Sequence, residues 1–293
     1  MGKLLIIDGN AIAHRAYHAI PELTNKKGEH TNAVYGFVSI LTNLTYTLKP
    51  THLVVTFDEK EKTFRRKEYE HYQAKRPKMD DWLSSQIDKI RQWLEAAQVS
   101  VYSKGGYEAD DVIGTIADRS VDNFDNIVIV TGDRDLFQLI NKKTKVYVPI
   151  KGLKEGKLYG EEEVRQEFDF DPIQMVDYKA LVGDASDNYP GVAGIGPKTA
   201  RDLITRYKKV EDIYQDLDMI EERVKVKLKK GKKDAFFFKK LATLFKDVPI
   251  TFDSKDWEGW DLGGELSTAY LTGLGFKSIL KRLPKKESQG QLF

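Results

Sequence analysis

The amino-acid sequence predicts an α/β protein, a parallel sheet flanked by helices with a helical second half attached. Three observations predict it. Short β-rich apolar runs alternate with helix-period patterns through the first half, the pattern of parallel strands joined by crossover helices. Three of those runs lead to a carboxylate. From about Glu161 onward strand alternation stops and the spacing becomes helical.

The strands expected are residues 4–7, 53–57 and 127–130. Between the first two, Val34, Phe37, Leu41, Leu44 and Leu48 recur at helical spacing, so an amphipathic helix packs on the sheet there. Residues 82–97 read as another helix. Residues 146–150 and 157–159, joined by the turn-rich 151–156, read as a late hairpin. The chain thus divides into an α/β unit over residues 1–166, a helical unit over 167–284 and a polar tail over 285–293, with no fixed-period repeat.

Composition narrows the function classes. The 293 residues are 41% hydrophobic and 31% charged, as in an ordinary soluble protein. Lys and Arg total 47 against 45 Asp and Glu, for a net charge of +2, so a phosphate-binding face must come from local excess rather than net charge. There is no Cys, which excludes disulfides, thiolate catalysis and Cys-ligated zinc or iron–sulfur sites. The apolar run at the start is too short for a signal peptide or a membrane span, and a cytoplasmic location is expected.

The acids carry the chemistry. Asp8, Asp58 and Asp133 follow the three strands, and the carboxyl ends of strands in an open parallel sheet form the ligand crevice, so these acids should converge. Glu108, Asp110 and Asp111 open a helix, Asp135 follows Asp133, and Asp184 and Asp187 sit three apart, pointing the same way if they lie on a helical turn. Each acid alone also fits a helix cap or first turn. Gathered in one crevice they would raise one another's pKa, and hard divalent cations with oxygen ligands resolve that. Mg²⁺ suits best, with Mn²⁺ as a substitute. Two such ions about 3.5–4 Å apart activate a water and stabilise a leaving oxygen, which points to phosphodiester hydrolysis.

At these residues the sequence resembles the 5′-nuclease family that includes flap endonucleases and the N-terminal domain of bacterial DNA polymerase I. The strings are Ile7-Asp8-Gly9-Asn10 with Arg15, Phe57-Asp58 with Phe64-Arg65, Tyr107 through Val112, Thr131 through Asp135, and Gly183-Asp184 with Ile195 through Ala200. The resemblance covers almost the whole chain. It implies a PIN-like nuclease core, a helical arch and a C-terminal helix-hairpin-helix domain. It implies that Asp8, Asp58, Glu108, Asp110, Asp111 and Asp133 form the tighter metal site, with Asp135, Asp184 and Asp187 completing a second. Arg15 and Arg65 are then expected at the scissile phosphate. The substrate implied is DNA with a 5′ flap or a 5′ end at a duplex junction.

Residues 58–82 are rich in cations, and Arg65, Tyr69, Tyr72 and Arg76 recur at helical spacing, a face suited to a single strand. A solvated, salt-bridged helix is the alternative, given the interleaved Glu59, Glu61, Glu68 and Glu70. The family places its arch here. Gln73 stands where the family commonly has Lys, so Lys75 or Arg76 is expected to supply that charge.

Residues 190–200 are neither a P-loop, since Pro197 replaces the required Lys, nor a dinucleotide fingerprint. They read as a glycine turn, with Gly194 and Gly196, feeding a helix whose first N–H groups, near Lys198 and Thr199, hold duplex backbone. A plain helix connector is the alternative. The resemblance adds a monovalent cation, commonly K⁺, on the backbone carbonyls of this turn. The lysine run from Lys225 to Lys233 is either more duplex footprint or a solvated face.

A monomer is expected. The last five residues, Gln289 to Phe293, resemble a bacterial sliding-clamp-binding pentapeptide with Gly290 off-pattern, or are an incidental tail. Phe293 as the natural end of a stand-alone nuclease would follow from the clamp reading. Two rivals remain. A haloacid-type phosphatase would need Asp where Asn10 stands, and a non-catalytic DNA-structure-binding module would not need the acids.

Overall fold

The computed structural model describes residues 2–151 and 155–283, so Gln289 to Phe293 lie outside the described residues. Its centre is a six-stranded sheet built from β1 (Gly2–Asp8), β2 (His52–Thr56), β3 (Ser100–Tyr102), β4 (Phe124–Val130), β5 (Thr144–Lys151) and β6 (Glu155–Tyr159). The strand order is β3-β2-β1-β4-β5-β6. Every pairing is parallel except β5 with β6, the expected late hairpin. β3 has too few residues to register as a pattern in sequence.

Side-chain alternation explains why the sheet sits between two layers. Leu4 and Ile6 of β1, with Ile127 and Ile129 of β4, enter one apolar cluster, whereas Leu5, Ile7, Val128 and Val130 enter the other. The second cluster is covered by α1 (Gly9–Ala19), α2 (Asn32–Leu48) and α4 (Asp81–Ala96). A short α3 (Phe64–Glu68) lies on the connection between β2 and α4. The first cluster is covered by α5 (Ala109–Ser120) and by the helical half: α6 (Glu161–Phe168), α7 (Met175–Val182), α8 (Pro197–Tyr207), α9 (Val210–Gln215), α10 (Glu222–Lys230) and α11 (Lys232–Ala242).

The end of the chain departs from the expected helical unit over residues 167–284. α12 (Glu265–Gly273) and α13 (Lys277–Leu280) return to the layer of α2 and α4. Leu262, Leu271, Phe276, Ile279 and Leu283 are buried in the same cluster as Trp93 and Leu94. The Trp93 indole donates to Ser267 Oγ at 2.9 Å, and the Tyr270 hydroxyl donates to the Lys89 carbonyl at 3.1 Å. The apolar outer face of α4 causes this, since α12 takes Trp93 out of water. Among the described residues no helix is long and apolar enough to cross a membrane.

Candidate metal and nucleic-acid site

β1 lies between β2 and β4, where the strand order reverses, and the acids gather at that switch point. Asp8 is the last residue of β1 and also caps α1, its Oδ1 accepting from Ala11 N–H at 2.9 Å. Its Oδ2 accepts from the Thr131 hydroxyl at 2.7 Å, and Thr131 Oγ1 accepts in turn from Asp133 N–H at 3.0 Å. Asp58 follows β2 and reaches across to α5, accepting from Ala109 N–H at 2.8 Å. Asp133 accepts from Asp135 N–H at 2.8 Å and so starts the 3-10 turn Arg134–Leu139. Each acid is held by the element it begins or ends.

Packing these carboxylates together disfavours their charge. Burial pushes Asp8 up to about 7, with Asp58 and Asp133 adding to the rise against the N–H of Ala11 and the Thr131 hydroxyl. Burial, then the charges of Asp133, Asp8, Asp58 and Glu108, pushes Asp110 well above the usual carboxylate range. Burial also pushes Glu108 up to about 7, although Arg65 pulls the other way. Asp133 is raised by burial, with Lys179 opposing.

Asp135, Asp184 and Asp187 form the adjoining group, with carboxylate oxygens within 4.8 Å of one another. Asp184 and Asp187 do not lie on a helical turn, the arrangement their spacing allows. They sit on a tight loop closed by the bridge between Asp184 and Tyr189, where Asp184 Oδ1 accepts from Ser186 N–H at 2.7 Å and Asp187 N–H at 3.1 Å. Two glycines permit it. Gly183 and Gly191 have φ of 82° and 64°, and a Cβ on Gly191 would stand 2.3 Å from Gly183 N. Lys179, which sequence reasoning missed, lies between Asp135 and Asp184, with Nζ 2.5 Å from Asp184 Oδ2. Burial alone would raise Asp184, but Lys179 holds it below the usual range. Nothing in the sequence signals that pairing, which exists only because α7 and the 3-10 turn after β4 pack together.

Two of the expected site residues have other work. Arg65 is 1% exposed, and its five N–H donors are all used. Nε donates to the Leu241 carbonyl, Nη1 to Glu108 Oε2 and Asp111 Oδ2, and Nη2 to Asp111 Oδ1 and the Thr243 carbonyl, at 2.7–2.9 Å. No donor is left for a scissile phosphate. Asp111, 0% exposed, also accepts from Phe245 N–H at 2.8 Å and Glu108 N–H at 3.2 Å. That fills its lone pairs. The Arg65–Asp111 pair therefore joins α3 and α5 to the end of α11.

The cationic segment also differs from expectation. The helix stops at Glu68, so Arg65, Tyr69, Tyr72 and Arg76 do not share one helical face. Tyr69 packs edge-on to Phe237 and Phe238, and Tyr72 is 4% exposed with its hydroxyl turned towards Glu108 and Asp187. Lys75 and Arg76 are exposed, and the charge of Arg76 reaches Asp133 and His14. Arg15 lies half-buried on α1 near Tyr147 of β5. In the helical half, α8 begins at Pro197 after Gly196 and carries Lys198 and Thr199 in its first turn. Gly194, with φ of 80°, turns the chain just before it. Its carbonyl accepts from Lys227 Nζ at 2.9 Å.

A parallel sheet with oxygen donors massed at its strand ends, and a helical half folded against it, defines an α/β nuclease scaffold. Residues 3–169 match the family described as 5′-3′ exonuclease, N-terminal resolvase-like domain, and residues 170–262 match 5′-3′ exonuclease, C-terminal SAM fold. The chain belongs to the 5′-3′ exonuclease family. It is 43% identical over 289 residues to DNA polymerase I of Caldicellulosiruptor bescii, covering 97% of this chain, and 39% identical over 290 residues to DNA polymerase I of Bacillus subtilis, covering 99%. It spans only 34% and 33% of the lengths of those two relatives. Among solved structures it resembles T5 5′-exonuclease with divalent zinc ions bound, at a TM-score of 0.67 and 19% identity, covering 96% of each chain. It also resembles the catalytic core of Rad2 in complex with DNA substrate, at 0.64 and 16%, covering 96% of this chain and 91% of the other. At those identities the likeness is one of fold.

Proposed function

We propose that the chain hydrolyses phosphodiesters in DNA that carries a 5′ flap or a 5′ end next to duplex, leaving a 5′-phosphate and a 3′-hydroxyl, with divalent cations held in the acid crevice. The observation that carries this reading is the convergence of Asp8, Asp58, Glu108, Asp110 and Asp133 at one end of the sheet, with Asp135, Asp184 and Asp187 beside them. The donors are all oxygens, and their negative charge exceeds what Arg65 and Lys179 offset, which fits a hard divalent cation. Asp8, Asp58, Glu108, Asp110 and Asp133 would hold one ion and Asp135, Asp184 and Asp187 a second, Mg²⁺ by preference and Mn²⁺ in its place. When bound, such ions polarise a phosphoryl oxygen and lower the pKa of an attacking water.

The remaining groups bind and orient. Arg15, Lys75 and Arg76 supply positive charge for the phosphates of the strand entering the crevice. The first-turn N–H groups of α8, at Lys198 and Thr199, have no partner in their own helix and suit duplex phosphate. Exposed Lys229, Lys230 and Lys233 extend that footprint. K⁺ at the glycine turn fits less well, because the Gly194 carbonyl already accepts from the Lys227 ammonium. A monomer acting on cytoplasmic DNA completes the proposal, with Gln289 to Phe293 as an anchor on a sliding clamp.

A labelled 5′-flap duplex tests it. Cleavage near the junction in Mg²⁺ and none in EDTA is the expected result. Binding without cleavage in both would replace the enzyme with a DNA-structure-binding module.

A further inference from the structure

The segment after α3 is tethered to the loop that carries Asp184 and Asp187. The Tyr72 hydroxyl lies 3.0 Å from Asp187 Oδ2 and 3.2 Å from Glu108 Oε2. Gln73 Nε2 donates to Asp187 Oδ1 at 3.0 Å, and Gln73 N–H donates to the Asp187 carbonyl at 2.9 Å. Asn188 Nδ2 donates to the His71 carbonyl at 2.8 Å. Gln73 holds φ of 53°, a left-handed value that a residue of its type seldom adopts unless its surroundings fix it, and Asn188, of a type that adopts such values more readily, holds 57°. Both backbones are bent at the place where amide and carboxylate meet.

We propose that Gln73 is a positioning residue for divalent-cation binding at Asp187: its side-chain amide, with the Tyr72 phenol, orients that carboxylate and couples cation affinity to the placement of the segment carrying Lys75 and Arg76. The inference rests on the reading that the acid crevice holds divalent cations. An ionised carboxylate offers about four lone-pair sites. Gln73 and Tyr72 take one on each oxygen, and the others stay available to an ion shared with Asp135 and Asp184, whose oxygens lie within 4.8 Å. The donor is neutral, and that matters. Unlike an ammonium, an amide fixes the carboxylate without offsetting its charge. Hydrogen-bond partners of metal ligands typically change affinity by about 10–100-fold when removed.

The test is calorimetric titration of Mn²⁺ into the metal-stripped full chain, for the wild type and for Gln73→Met, Tyr72→Phe and Asp187→Asn. Gln73→Met keeps the side-chain length and the backbone N–H. The expected result is that Asp187→Asn loses one class of ion, and that Gln73→Met and Tyr72→Phe bind that same class about tenfold more weakly. The unfolding midpoint of Gln73→Met in EDTA should stay at the wild-type value, which a merely structural role would not give. Hydrogen exchange of residues 69–76 should slow on adding Mn²⁺ in the wild type and not in Gln73→Met. Uptake of no ion by the wild type would overturn the crevice reading itself. Uptake by the wild type with an identical isotherm for Gln73→Met would overturn only the role of Gln73. If Gln73→Met were misfolded, the isotherm of Tyr72→Phe would decide for the same carboxylate.

Discussion

Replacing Arg65 with Met is expected to lower the unfolding temperature of the metal-free chain by roughly 10 °C. Arg65 is 1% exposed, and its guanidinium gives all five of its hydrogen bonds to buried or part-buried groups. Its removal leaves Asp111, fully buried, and Glu108, largely buried, without their counter-charge. Removing one partner of a buried ion pair costs about 3–5 kcal/mol. At about 2–4 °C per kcal/mol for a chain of this size, the shift follows. Arg65→Lys should lose less, since it keeps the charge but not the fork that meets both Asp111 oxygens. Adding Asp111→Asn to Arg65→Met should recover at least about 1 kcal/mol, because a neutral amide can still accept from Phe245 N–H. The assay is denaturation in EDTA without DNA. If Arg65→Met unfolded at the wild-type temperature while cleavage was lost, the guanidinium would belong to the phosphate after all.

Other expectations concern the crevice and the strand it receives. Asp8 and Glu108 have folded-state pKa values raised to about 7, so their neutral forms favour the fold; that stability is full below about pH 4 and is lost as pH rises through about 7. Thermal melts in EDTA should therefore fall from about pH 5 to about pH 8, and Mg²⁺ at the upper pH should restore the midpoint; a flat profile would contradict the burial of these acids. Asp133→Asn or Asp184→Asn should abolish cleavage of a 5′ flap, a loss of at least about a hundredfold, while flap binding survives; full activity in either would remove that residue from the metal set. Arg76→Ala should weaken a flap substrate more than a nicked duplex, and an equal loss on both would argue against a role at the single strand.

Sequence exposes what depends on period and misses what depends on distant partners. Asp8, Asp58 and Asp133 were legible because alternating strands place their ends in one crevice, and β1, β2 and β4 do so. Asp110 and Asp111 were not separable by that logic. Adjacent helical residues project about 100° apart, so one can face the crevice while the other turns inward to Arg65, and an acid in a first turn looks alike in both cases. The cationic segment kept helical spacing beyond Glu68, yet the backbone there follows its hydrogen bonds to Asp187 and Asn188, more than a hundred residues away. Ser100–Tyr102 offered three residues, too few for a period. Residues 265–273 were read only as part of a helical unit, and nothing in their spacing says which layer would bury Leu271.

The return of α12 and α13 ties residues far apart in the chain into one layer. During synthesis the sheet, α2 and α4 leave the ribosome long before the residues that cover Trp93 and Leu94. Until Leu271 and Ile279 arrive, that layer presents an open apolar groove to its surroundings, and the bond from the Trp93 indole to Ser267 spans 174 positions of chain. Contacts of such long range carry a loop-closure cost that lowers the folding rate. The helical half is then looped out from a layer to which both the first elements and residues 262–283 contribute. Cutting the chain between the two family segments is expected to leave Trp93 and Leu94 of the first piece uncovered.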